Sequence, residues 1–385
     1  MPEGWEATTL GDVADYQNGY PFKPAELGGD GLPVIRIKQL LDPSELPDRA
    51  GIPVPERHQI GDGDLIFSWS GTLAVRMWDR GPAALNQHLF RVAERPGVDR
   101  RWLALALDHA IVELNEKTHG STMRHITKAD LLPHPVVLPP LVVQRRVVDL
   151  VAAVDTYAAA TTDQVKVAEA SLGALRRMLI DESDAPLVDF SEVATIESAL
   201  ADPTLPGYRD LPHLGVDRIE SRTGRLVGVQ TAADDGVISG KFLFTEEDVI
   251  YSKIRPELRK AAFPRYEGLC SADAYPLRPA PGVDPHYLLE LLLSDVFGDE
   301  AIGRSSRTKM PKINRRELAD IRVPCPDPDE QRQIGELLHS VRVMRDAAAA
   351  LGETLATIRS GLLEELLSGE REIPGSYDEL VGLVA

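Results

Sequence analysis

The stretch from Leu138 to Glu182 restricts what this chain can fold into more than any other. It opens Leu138-Pro139-Pro140-Leu141-Val142-Val143-Gln144 and then runs without proline, with Gly173 as its one interior glycine, to Asp181-Glu182. Apolar or small residues recur at Val147, Val151, Val154, Ala158, Val165, Ala168, Leu172, Leu175 and Leu179, with Thr161 in the remaining slot. Steps of four and three are the seam of a coiled coil. At about 1.5 Å per residue the segment is a rod of roughly 50 Å. A rod with one apolar stripe needs a partner in water.

The same chain supplies one. Val323-Pro324-Cys325-Pro326-Asp327-Pro328-Asp329-Glu330-Gln331 repeats the punctuation of prolines followed by glutamine. Behind it Leu337, Val341, Met344, Ala348, Leu351, Leu355, Ile358 and Leu362 step four and three again. Gln331 lies 187 positions after Gln144, which points to an internal duplication.

The segments before the two helices match as well. Trp5–Ala14 is echoed by Leu187–Ala194, and Leu32–Leu40, which alternates like a half-buried strand, by Leu211–Ile219. Gly63-Asp64-Leu65-Ile66-Phe67-Ser68-Trp69-Ser70-Gly71-Thr72 aligns with Glu247-Asp248-Val249-Ile250-Tyr251-Ser252-Lys253-Ile254-Arg255-Pro256. Leu85–Val92 aligns with Cys270–Leu277, a helix from about Arg101 to Lys117 with one from Pro285 to Arg304, and Gly120–Lys128 with Ser306–Asn314. The chain therefore reads as two copies of a mixed α/β domain, each followed by a long helix.

Composition sets the remaining bounds. Hydrophobic content of 43% and charge of 26% describe a globular chain long enough for two or three cored domains. No basic-then-apolar start and no run of 18 apolar residues is seen, so the expected home is the cytoplasm, with no membrane association. Cys270 and Cys325 make neither a disulfide framework nor a metal cluster. Catalytic signatures are missing from the sequence. Ser68 lacks the glycines of a nucleophile elbow, Gly61-Asp62-Gly63 lacks the third glycine of a dinucleotide fingerprint, and no Walker loop or His-x-x-x-His pair occurs. An amino-methyltransferase tetrad of Asn or Asp, two prolines and an aromatic is missing too.

A net charge of −18 opposes nucleic-acid binding unless the basic residues are gathered. They are. Arg304, Arg307, Lys309, Lys312, Arg315 and Arg316 share an acid-free window, and Lys253, Arg255, Arg259, Lys260 and Arg265 share one with only Glu257. Lys117, Arg124 and Lys128, with His119 and His125, form a third acid-free run. Ser68, Trp69, Ser70, Gln87 and His88 sit at strand ends and loops, where recognition residues concentrate. Their counterparts Ser252, Lys253, Ile254 and Arg255 differ in chemistry, as expected of one scaffold with two reading heads. Arginine can clasp guanine, glutamine adenine, and lysines such as Lys128, Lys309 and Lys312 suit phosphates.

The Gly63–Thr72 segment, Leu85-Asn86-Gln87-His88, the Pro-Pro-Leu…Gln helix openings and the two-fold repeat together resemble the specificity subunit of type I restriction–modification enzymes. The resemblance implies two target-recognition domains separated by two long antiparallel coiled-coil helices. The expected boundaries are 1–140 for the first domain, 141–184 for the central helix, 185–326 for the second domain, 327–370 for the C-terminal helix and 371–385 for an acidic tail. It further implies a non-catalytic chain that reads a bipartite double-stranded DNA site, one half per domain. Adenine-N6 methyltransferase subunits, two of them, would dock on the helices at Gln144, Val147, Val151, Val154, Gln331, Leu337, Val341 and Leu355 and bring S-adenosylmethionine, and a motor-nuclease subunit can join. No cofactor is expected on this chain. One departure is that Cys270-Ser271-Ala272-Asp273 stands where the first half has its Asn-Gln-His motif. The alternative is a coiled-coil scaffold whose two α/β domains bind proteins.

Overall fold

The computed structural model describes residues 2–117, 127–197, 199–305 and 311–382. They form two compact units, one of residues 1–158 and 353–385, the other of residues 159–352, so each long helix contributes to both.

In the first unit the order is β1 (Glu6–Thr9), α1 (Leu10–Val13), β2 (Ala14–Asn18), β3 (Val34–Ile35), α2 (Ile37–Leu41), β4 (Gln59–Ile60), β5 (Leu65–Ser68), β6 (Ala74–Met77), β7 (Ala83–Leu85) and β8 (Leu89–Glu94). Then come α3 (Arg100–Lys117), α4 (Lys128–Leu131), β9 (Pro135–Leu138) and the long α5 (Leu141–Arg176). An antiparallel sheet β2-β8-β5-β6 packs beside a small sheet β3-β7-β4, and β9 returns to pair with β1. Leu10, Phe67, Phe90, Trp102 and Leu103 share one core with Val147 and Val151 of α5.

The second unit repeats the scheme with β10 (Leu187–Asp189), α6 (Phe190–Val193), β11 (Ala194–Ile196), β12 (Leu200–Ala201), β13 (Pro212–Leu214), β14 (Gln230–Thr231), β15 (Lys241–Phe244), β16 (Val249–Ser252), β17 (Ala261–Ala262), β18 (Gly268–Cys270) and β19 (Ala274–Pro279). Next follow α7 (Pro285–Leu293), α8 (Asp295–Arg304), α9 (Arg315–Ala319), β20 (Arg322–Pro324) and α10 (Pro328–Ser368), with α11 (Tyr377–Gly382) closing the chain. Sheet β11-β19-β16-β17 corresponds to β2-β8-β5-β6, and β10-β20 to β1-β9. The smaller sheet has grown to β12-β15-β18-β13-β14.

Three expectations need correction. Only Val34–Ile35 of the expected strand 32–40 is extended, because Ile37–Leu41 winds into a helix that buries Gln39 and Leu40. The helix expected from Pro285 to Arg304 is two helices, since Ser294 caps the second through the Phe297 N–H. The seam of α10 is also shifted at every second position. Val341, Ala348, Leu355 and Leu362 face inward as expected, whereas Leu337, Met344, Leu351 and Ile358 stay outside. The inward places belong to Leu338, Arg345, Gly352 and Arg359.

Those inward polar places are filled for identifiable reasons. A Cβ on Gly352 would stand 3.0 Å from the Thr161 hydroxyl oxygen, so glycine lets the helices of the second unit approach. In the first unit Arg359 donates to Asp155 at 2.5 Å and lies 3.9 Å from Asp108 on α3. In the second, Glu290 on α7 is fully buried between Arg176 of α5, at 2.8 Å, and Arg342 of α10. Arg345 donates to the Thr223 carbonyl at 2.8 Å.

The segment after α10 folds back onto the first unit. Ile373 is buried in its core, and Arg146 of α5 grips Asp378 with two bonds of 2.8 and 2.6 Å.

Burial pushes the Glu290 carboxyl up, but Arg342 and Arg176 outweigh it and hold the group below its ordinary value. A carboxyl depressed on folding adds stability that is complete above its unfolded pKa, about 4.3, and fades as pH falls below it. Glu290→Gln should cost about 3–5 kcal/mol at neutral pH, because two buried guanidinium groups lose their partner. In urea unfolding the gap between parent and variant should narrow below about pH 4. A gap independent of pH would show that the ion pairs are not its source.

Candidate nucleic-acid interface

Two strand ends carry the residues that the sequence singles out. In the first unit β5 places Phe67 opposite Phe90 and Ser68 opposite Leu89. Ser68 is fully buried and its hydroxyl donates to the Thr72 carbonyl at 2.7 Å, so it shapes the turn and cannot touch a base. Ser70 is buried as well. Trp69 is half-buried, stacked on Phe90 with centroids 5.8 Å apart, and its indole N–H donates to the Gln87 carbonyl at 3.2 Å. His88 leans on the same indole at 5.6 Å, and the exposed Gln87 amide lies 3.4 Å from its ring. Lys128, at the start of α4, donates to the Tyr16 carbonyl at 2.6 Å and lies 5.1 Å from the Phe90 centroid. The structure thus brings Trp69 and Lys128 together on Phe90, with Gln87 and His88 beside the Trp69 indole.

The second unit builds the matching place from different side chains. Ser252 is buried, its hydroxyl donating to the Ile254 carbonyl at 3.0 Å. Lys253 points over the Tyr275 ring at 5.2 Å. The segment after residue 310 is stitched to this strand end. Arg255 N–H donates to Pro311 O at 2.8 Å, Ile313 N–H to Lys253 O at 2.9 Å, and Ile254 bridges Lys312. Arg255 and Lys312 are exposed, with no ion pair among the described residues.

Arg255 also has φ +49°, in the left-handed region. Among the described residues every non-glycine with positive φ is an arginine, the others being Arg222, Arg259 and Arg265. Such backbone costs on the order of 1 kcal/mol or more per residue and persists where surroundings enforce it.

Several expected contacts are reassigned. Arg259 is buried and its guanidinium is taken up by Asp295 and by Asp299 at 3.0 Å, so it ties the loop to α8 and offers nothing to a ligand. Lys260 is half-buried, donating to the Val216 carbonyl at 2.8 Å. Arg124, His125, Arg307 and Lys309 lie outside the described residues.

The helix positions divide likewise. Gln144 is fully buried; its amide oxygen accepts from Asp99 N–H at 2.7 Å and its amide N–H groups donate to Pro139 O and Gly97 O. Gln331 repeats this with Asp284 N–H and Pro326 O. Both glutamines, with Val147 and Val151, are therefore consumed by internal packing rather than shown to a partner. Val154, Val341 and Leu355 are half-buried and Leu337 is exposed. Within the second unit an open groove of about 950 Å³ runs between Ala160–Ser171 and Val341–Leu351, walled by Val167, Met344 and Leu351. Among the described residues no cluster of His, Cys, Asp and Glu could hold a metal, and no helix is long and apolar enough to cross a membrane.

Phe90 and Tyr275 belong to the same places although sequence reasoning did not select them, and Arg315, singled out only as part of its basic window, brings its guanidinium to 5.9 Å from the Tyr275 centroid. Their signal was alignment, since Phe90 and Tyr275 are matched aromatics inside matched strands.

Two α/β units built on one scheme share two long helices, and each carries a basic or aromatic surface at one strand end. Residues 2–168 match the family described as type I restriction modification DNA specificity domain. Over that stretch the chain is similar to the specificity subunits of type I restriction–modification systems. It is 43% identical over 145 residues to the type I restriction enzyme EcoDI specificity subunit of Escherichia coli, covering 38% of this chain and 32% of that one. The EcoBI specificity subunit of the same organism is 28% identical over 146 residues, covering 37% and 31%. The chain therefore spans about a third of the length of the curated relatives it matches. The fold extends further. The S subunit of a type I system from M. genitalium superposes with a TM-score of 0.64 at 12% identity, over 96% of this chain and 97% of that one. A chain of another type I system gives 0.56 at 18% identity, over 95% and 98%.

Arg259→Ala should lower the thermal midpoint, with a stability loss of about 1–3 kcal/mol from the broken buried hydrogen bonds. Unfolding at the parental temperature would show that the guanidinium is not a packing element.

Proposed function

We propose that this chain is the non-catalytic DNA-recognition subunit of a type I restriction–modification complex. Each α/β unit reads one half of a bipartite, asymmetric double-stranded site, and the long helices fix the gap between the halves. Methyltransferase subunits, two in number, dock on those helices with S-adenosylmethionine and methylate adenine N6, and a motor-nuclease subunit is a further partner. The observation that carries the reading is one scaffold position with two chemistries. Trp69 stacks on Phe90 with Gln87 and His88 beside its indole in one unit, and Lys253 lies over Tyr275 in the other, with Arg255 and Lys312 on the adjoining stitched segments. A module kept constant around a variable head is what an asymmetric site requires, because each base pair shows its own donor and acceptor pattern in the major groove.

The rival, a protein-binding scaffold, draws on the open apolar groove of the second unit and the net charge of −18. Mapping N6-methyladenine across the host genome with and without this gene separates the two. One bipartite motif with a fixed unspecified gap should lose its methylation when the gene is deleted. An unchanged map in a host whose partner methyltransferase is active would move the scaffold reading ahead.

Within that motif Arg255→Ala should relax or abolish recognition of one half-site only. Equal loss at both halves would assign Arg255 to support of the fold.

A further inference from the structure

Phe90 and Tyr275 are the pivots of the two reading surfaces. Both are buried, and each pairs across its sheet with another ring, Phe67 opposite Phe90 and Tyr251 opposite Tyr275. In each unit two side chains meet this ring. One comes from the residue after the serine that ends the neighbouring strand, Trp69 at 5.8 Å or Lys253 at 5.2 Å. The other comes from the first residue of a short helix, Lys128 at 5.1 Å or Arg315 at 5.9 Å.

The two helix positions are built alike. Thr127 N–H donates to Asp130 at 3.0 Å and Asn314 N–H to Glu317 at 2.8 Å, so in both helices the nearby carboxylate serves the backbone and leaves the cation alone. Arg315 is exposed and has no ion pair among the described residues. Lys128 spends one donor on the neutral Tyr16 carbonyl, which leaves its charge uncompensated. Most other arginines placed in the second unit are matched to acids, among them Arg218 with Asp235, Arg278 with Asp248 and Arg322 with Asp189. An aromatic face steadies a cation without neutralising it.

Resting on the DNA-recognition reading above, we propose that Arg315, with Lys128 as its counterpart, is the phosphate anchor of its unit, a sequence-independent contact seated on the pivot ring. A phosphate contact carries no sequence information. It can therefore keep one chemistry in both copies, while the position beside it changes from Trp69 to Lys253 with the half-site to be read.

The test measures binding of the full-length chain to duplexes with and without the cognate site, across a range of salt, for the parent, Arg315→Gln and Arg315→Lys. Arg315→Gln should weaken binding to both duplexes alike and make the slope of log K against log salt shallower by about 0.9, the value for one phosphate contact. Its thermal midpoint should match the parent, and Arg315→Lys should restore the slope. An unchanged slope, a loss confined to the cognate duplex, or a lowered midpoint without a change of slope would each overturn the anchor. Lys128→Gln gives the same readings for the first unit. A parent with no salt-dependent DNA binding would overturn the recognition reading itself, and the anchor with it.

Discussion

A buried glutamine amide holds each long helix to the α/β layer before it, and the rest of the architecture depends on that bond set. Gln144 and Gln331 lie one turn inside helices entered through prolines, where the chain has just left a strand. Each amide accepts from the N–H that begins the domain's outer helical region, Asp99 or Asp284, and donates back to the proline carbonyl behind it, Pro139 or Pro326. A primary amide can do both at once, which leucine, glutamate or lysine at the same place could not. Buried polar groups must be paired, so this geometry admits little variation. It also explains why the glutamine recurs after 187 positions although neither copy reaches the surface.

The helices pair through a seam that is only partly apolar. Arg359 between Asp155 and Asp108 closes it in the first unit, and Glu290 between Arg176 and Arg342 closes it in the second. The polarity is inverted, a cation held by acids in one case and an acid held by cations in the other. Buried ion pairs such as those of Glu290 add little net stability against an apolar substitute, yet breaking one is expensive. Their effect is therefore on choice of register. A helix shifted by one heptad would still set small and apolar residues together but strand a buried charge.

Duplication, the α/β character of each copy and the two long helices were legible because they rest on spacing and alignment, which a sequence displays directly. The inward face of α10 was half legible. Leu337, Met344, Leu351 and Ile358 repeat as regularly as a true seam, while the residues that face inward include Arg345, Gly352 and Arg359, which an apolar count passes over. Charge alone could not sort the basic island at 253–260. Arg255 and Arg259 look alike as letters, and only the fold shows Asp295 and Asp299 waiting beside the second. Ser68 misled for a related reason, since a hydroxyl at a strand end suits base contact and turn closure equally well until its acceptor is seen.

That buried serine clarifies how one scaffold serves two heads. Ser68 and Ser252 both turn their hydroxyls inward to a carbonyl a few residues ahead, Thr72 and Ile254, which fixes the backbone leaving the strand. The next side chain is then thrown outward across the pivot ring whatever its identity, an indole in one unit and an ammonium in the other. Electrostatics sharpens the contrast. In a chain of net charge −18 a duplex is repelled from most of the surface. On the proposed reading it settles where cations are left uncancelled, as at Lys128, Arg255, Lys312 and Arg315. Under the proposed function, an acidic exterior narrows where DNA can lie before any base is read, and the serine-fixed turn decides which side chain meets it there.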